Sequence, residues 1–64
     1  MRVQIGDIVR VRGTVNIGGR VISKESLSQS GEIWLHLTPA ILNNIEYGGV
    51  EKVLLESVEL VGLR

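Results

Sequence analysis

Turn-forming residues interrupt this chain at short intervals: Ile5-Gly6-Asp7, Asn16-Ile17-Gly18-Gly19, Gln29-Ser30-Gly31 and Gly48-Gly49. Glycine reaches positive φ without a Cβ clash, and Asn, Asp and Ser side chains close turns on the backbone. The stretches between these breaks are too short for a strand–helix–strand unit, which takes about 30 residues or more. Several of them alternate apolar with polar residues, the mark of a half-buried strand. A chain punctuated this way is restricted to a small all-β domain.

Residues 7–15, DIVRVRGTV, place Val9, Val11, Gly13 and Val15 on one face and Arg10, Arg12 and Thr14 on the other. Ile8 is the one apolar residue on the second face. RVISKESLS (20–28) reads as a second strand, weakened by its Ser and Glu. Gln29-Ser30-Gly31 turns the chain into a third, EIWLHL (32–37). Thr38-Pro39 resembles a helix start, with Thr at the N-cap and Pro at the first helical position. The spacing of Ile41, Leu42 and Ile45 then fits one short helix or 3₁₀ segment near 39–47, ended by Gly48-Gly49. An extended strand edge with a loop is the competing reading. VEKVLL (50–55) is the fourth strand, LLES a single 3₁₀ turn, and VELVG (58–62) the last strand. Five strands of this length favour a small barrel.

At 64 residues this is one domain, 1–64, and such a chain buries only about 60% of its unfolded surface. It has no cysteine, so it holds no disulfide and no thiolate metal site. One His, one Asp and six scattered Glu give no metal-ligand spacing, and no cofactor is implied. Val, Ile and Leu number nine, seven and eight, while Trp and Tyr occur once each. Roughly a dozen buried aliphatics, each contributing about 1.5–3 kcal/mol, suffice for a small barrel core. The surplus belongs on the surface or in an interface, and is read as an interface between chains.

No run approaches the ~20 apolar residues of a membrane span, and the N-terminus lacks a targeting segment. A cytoplasmic protein with no membrane partner is therefore expected. The starting Met and the barrel-sized length point to a free-standing protein. Net charge is zero, which argues against a generic nucleic-acid binder. Residues 1–24 nevertheless carry five Lys or Arg against Asp7, and residues 25–64 carry six Glu against Lys52 and Arg64. Either the halves interleave and cancel, or a basic and an acidic patch meet partners.

Ile5-Gly6-Asp7-Ile8-Val9-Arg10-Val11, the Gly19-Arg20-Val21 of the second strand, Trp34 in the middle strand and Leu55-Glu56-Ser57-Val58-Glu59-Leu60-Val61 together resemble the SH3-like small β-barrels. That group includes KOW-type domains, photosystem and NDH accessory subunits, and type B dihydrofolate reductases. The resemblance covers nearly the whole chain and implies a five-stranded SH3-like barrel, without fixing a function. Type B reductases form a tetramer around a pore contacted through Val-Gln-Ile-Tyr. The matching segment here, Val50-Glu51-Lys52-Val53 after Gly49, lacks the Gln and the Tyr. KOW-type domains carry a basic loop after the first strand, where this chain has Asn16-Ile17-Gly18-Gly19 and then Arg20 alone.

No catalytic residues emerge. None of the serines sits in Gly-x-Ser-x-Gly, and Gly18-Gly19 is too short to cradle a phosphate. A symmetric oligomer could repeat His36 around an axis to build a central enzymatic site, which is the remote alternative. The carboxylates at 51, 56 and 59 read as edge-blunting or solvated.

The alternation of GEIWLHLTP sends Ile33, Leu35 and Leu37 to one face and Trp34 and His36 to the other. A core histidine needs a buried partner, so Trp34 and His36 are expected to point outward. Three readings of Trp34 stay open. It is covered by residues 39–47; or it forms a subunit interface with Ile22, Leu54 or Val53; or Trp34 and His36 stack on bases while Arg10, Arg12 and Arg20 hold phosphates. The expectation is a non-enzymatic binding module, an accessory or adaptor acting through protein contacts and self-associating, with nucleic-acid binding as the alternative. Candidate partner-binding residues are Trp34, His36, Arg10, Arg12, Arg20 and Ile22.

Overall fold

Alternation decides the central strand. In the computed structural model, which describes residues 2–27 and 29–63, Glu32–Thr38 is extended and its odd-numbered aliphatics turn inward: Leu35 and Leu37 are buried and Ile33 packs against them. In chain order the elements are β1 (Ile8–Val11), β2 (Gly18–Leu27), β3 (Glu32–Thr38), β4 (Ala40–Leu42), β5 (Ile45–Tyr47), β6 (Lys52–Leu54), a 3₁₀ turn (Leu55–Ser57) and β7 (Val58–Gly62). The structure is thus mostly β. Five strands form one antiparallel sheet in the order β6-β3-β2-β1-β7, and β4-β5 is a separate two-stranded ladder. Among the described residues no ladder joins β6 to β7, so hydrogen bonding does not close the sheet into a ring. Each of the five sheet strands overlaps one expected from the sequence. The first and fourth are shorter, at Ile8–Val11 and Lys52–Leu54 instead of 7–15 and 50–55, and the second begins two residues earlier, at Gly18. Ser28, the last residue of the expected second strand, lies outside the described residues.

Val3, Val9, Val21, Leu35, Leu37, Val53 and Val58 make the core, with Val11, Val50 and Leu55 packed around it. Two glycines let the strands approach. A Cβ on Gly18 would sit 2.0 Å from the Val9 carbonyl oxygen, and one on Gly19 2.4 Å from that of Thr38. The pair therefore opens β2 instead of breaking the chain before it.

The expected helix near 39–47 is absent. Ala40–Leu42 and Ile45–Tyr47 form a hairpin, with Ala40 opposite Tyr47 and Leu42 opposite Ile45. The turn residues Asn43 and Asn44 both have positive φ, 52° and 66°. That is the mirror-image turn favoured between twisted strands, and Asn tolerates it. Thr38 is not an N-cap but the last residue of β3, paired with Arg20. Eight residues are also too few for a helix to persist without a strongly packed face.

The first strand stops at Val11, short of the expected Val15. Gly13 takes φ 82°, and the Thr14 amide and hydroxyl both donate to the Val11 carbonyl. Val15 is left 79% exposed. The odd apolar residue Ile8 is explained by the hairpin. Leu42 reaches over Gly62 beside Ile8, so Ile8 is buried from outside the sheet. Backbone bonds between Gly48 and both Asn16 and Gly18, and one from the Asn16 side chain to the Glu46 carbonyl, hold the hairpin there.

Candidate functional site

Directly paired residues on adjacent antiparallel strands share a face. Glu25, Trp34 and Leu54 are therefore neighbours across the outer side of β2, β3 and β6, and so are Ser23, His36 and Lys52 one step along. A register shift between Val21 and Ser23 inserts Ile22 as an extra residue and leaves it 54% exposed. Ile22 lines a shallow groove of about 690 Å³ with His36, Pro39, Val50 and Glu51. Below Leu54, a cavity of about 330 Å³ is lined by Arg12, Glu32, Ile33, Leu55 and Glu56.

The charges on this face are linked. Glu25 Oε1 lies 3.3 Å from His36 Nε2 and 3.5 Å from Lys52 Nζ. The Lys52 ammonium is 5.1 Å from the centre of the Trp34 ring, a cation–π contact. The indole Nε1–H donates to Glu32 Oε1 at 3.4 Å. The hydrogen bond to His36, and then the Lys52 charge, hold the Glu25 carboxyl below the ordinary glutamate value.

A folded value below the unfolded one gives stability that is present in full above the unfolded value. It is lost as pH falls through the folded value. Acidification below about pH 4.3, the ordinary glutamate value, should therefore release Lys52 from Glu25 and change Trp34 emission. Glu25→Gln should remove that acid transition. Glu32→Gln, which alters the other carboxylate in contact with the indole, serves as the comparison. An acid transition unchanged in Glu25→Gln would contradict the linkage.

The sequence brought Trp34 and His36 together through alternation, and they do share this face with Ile22 and Leu54. Val53, offered as a neighbour of Trp34, is instead in the core. Of the 39–47 segment, Leu42 lies beside Ile8 and Gly62, and Pro39 lines the groove with Ile22 and His36. Glu25 and Lys52 were missed as partners of Trp34, because only the pairing of three strands joins them.

The arginines are engaged elsewhere. Arg10 pairs with Glu59 directly across β1 and β7. This hydrogen-bonded pair raises the guanidinium above its already high value and lowers the Glu59 carboxyl. Glu59 thus has a partner instead of being merely solvated. Arg12 donates to the Glu56 carbonyl, and Arg20 Nη1 to the Gly6 carbonyl at 2.5 Å. Among the described residues no group of three or more His, Cys, Asp or Glu could hold a metal ion. None of their helices is long and apolar enough to cross a membrane. Comparisons with protein-family models, curated proteins and solved structures give no match for this chain.

Proposed function

We propose that this chain is a non-enzymatic binding module acting through protein–protein contacts on the outer face of β2, β3 and β6. The observation that carries the reading is how side chains are committed. Arg10, Arg12 and Arg20 are tied to the chain's own oxygens, whereas Trp34 and Leu54, paired across β3 and β6, and Ile22 beside His36 remain at least partly exposed. A phosphate backbone would have to compete for each guanidinium, and one aromatic offers little stacking to a single strand. Large apolar residues gathered on a sheet face are better suited to another protein surface.

We also read the five-stranded sheet as the strand set of an SH3-like barrel. The order β6-β3-β2-β1-β7 and the 3₁₀ turn before the last strand support it. So does the long β2, which pairs with β1 through Gly18–Arg20 and with β3 from Arg20 to Leu27.

Trp34 is the only tryptophan, so its emission reports on this face alone. Titration with single-stranded oligonucleotides at low salt is expected to give no saturable quenching. Saturable quenching that weakens steeply as salt rises would favour the nucleic-acid alternative. Light scattering in low and high salt identifies the form of protein contact. A salt-stable oligomer lost in Trp34→Ala is self-association, and a monomer leaves the face for a different protein.

A further inference from the structure

The charge around the Trp34 strip is unbalanced. Glu25 lies opposite the indole, Glu32 accepts its N–H, Glu51 lines the groove beside His36, and Glu56 lines the cavity beside Leu54. Against these four carboxylates stand two cations, Lys52 and Arg12, and Arg12 is drawn onto the Glu56 carbonyl. Lys52 is a half-exposed side chain on a three-residue edge strand, yet its ammonium sits over the indole and beside Glu25. The chain's own lysine thus occupies a position suited to an incoming cation on an apolar stem.

A second copy fits this face poorly. An isologous dimer would lay the acidic strip on its own image, with like charges opposed. The outward edge of β2 has the same difficulty. A two-fold axis normal to a sheet keeps each residue on its face, so an antiparallel β2–β2 pair must centre on one residue meeting its own copy. The two registers that use most of Ile22–Leu27 centre on Lys24 or on Glu25, and either opposes like charges.

We propose that the outer face of β2, β3 and β6 docks a basic segment of another protein, one lysine or arginine of which replaces Lys52 over Trp34 and pairs with Glu25. This rests on the protein-binding reading and narrows it. The bound segment gains the cation–π contact and the carboxylates, while its aliphatic stems lie along Ile22 and Leu54. Displaced Lys52 returns to water, which its exposed position permits.

The test uses capped hexalysine and hexaarginine peptides, with hexaglutamate as control, followed by Trp34 emission on the whole chain. Saturable binding of the cationic peptides and none of hexaglutamate is expected. Lys52→Met removes the internal competitor and should tighten binding about two- to five-fold, the worth of an exposed cation–π contact. Glu25→Gln should weaken it by up to about five-fold, as for an exposed ion pair. Lys24→Met, the same charge change on a residue paired with buried Leu35, controls for general attraction. Equal tightening by Lys24→Met and Lys52→Met, or equal binding of hexaglutamate, would overturn the proposal. Light scattering of the same samples separates the two readings. A salt-stable oligomer lost in Trp34→Ala would put a second copy on the face, overturning this inference and leaving the protein-binding reading intact. Oligonucleotide binding in place of peptide binding would overturn both.

Discussion

Leu35→Ala is expected to cost about 2–5 kcal/mol, the range for truncating a fully buried leucine. Leu35 is 0% exposed at the centre of β3, between Lys24 on β2 and Val53 on β6, and belongs to the main core cluster. At about 0.05–0.15 kcal/mol per residue, a 64-residue chain has a total stability of roughly 3–10 kcal/mol. The variant therefore loses a large share of its stability, and at the low end of that range it does not fold. Urea unfolding followed by circular dichroism measures this. The midpoint should fall sharply while the slope against urea is preserved. A loss below about 1 kcal/mol would mean that the site collapses around the missing atoms.

Gly18→Ala is the second large effect, and it acts through backbone. The new methyl would meet the Val9 carbonyl oxygen at 2.0 Å and the Arg10 Cα at 2.9 Å. Neither atom is the end of a flexible side chain that can rotate away. Overpacking in well-packed regions typically costs about 1–3 kcal/mol, and the clash here forces β1 and β2 apart where Arg10 and Gly18 are paired. The upper part of that range or beyond is expected. Gly31→Ala is the informative comparison. Nothing lies within 4 Å of its added carbon, so its cost comes only from φ of 73° and is of order 1 kcal/mol. Thermal melts of the two variants should separate clearly, and a Gly18→Ala protein melting like Gly31→Ala would remove the close-approach argument.

Trp34→Ala belongs to a different class. Trp34 neighbours Leu35 in sequence but lies on the outer face, where one cross-strand pair contributes roughly 0.2–1 kcal/mol. It should keep the fold and lose the partner.

What could be read in advance follows from range. The alternation of β3 and the short last strand are local, and both were legible. So was the 3₁₀ turn at Leu55–Ser57, which the chain needs to redirect itself into β7. The hairpin at 40–47 was misread because Ile41, Leu42 and Ile45 satisfy the spacing of one helical turn as well as they satisfy two short strands. Asn43-Asn44, the residues that decide it, are common in loops of either kind. Ile8 was legible as an anomaly, an apolar side chain on a polar face. Its cover, Leu42, is 34 positions along the chain. The face around Trp34 was half legible. The tryptophan and histidine are joined by the period of one strand, but Glu25 and Lys52 reach them through two inter-strand registers that no local pattern encodes. The arginines looked free in the sequence because Glu59, Glu56 and Gly6 come to them only through tertiary contacts.

The parity of β3 has an evolutionary reading. Odd positions 33, 35 and 37 answer to the interior, and even positions 34 and 36 answer to whatever the domain meets. Selection on one set is nearly invisible to the other, so partner preference can drift while the scaffold stays fixed. A library varied at 34 and 36, with 25, 52 and 54 across the neighbouring strands, would change recognition without spending the fold's small margin of stability.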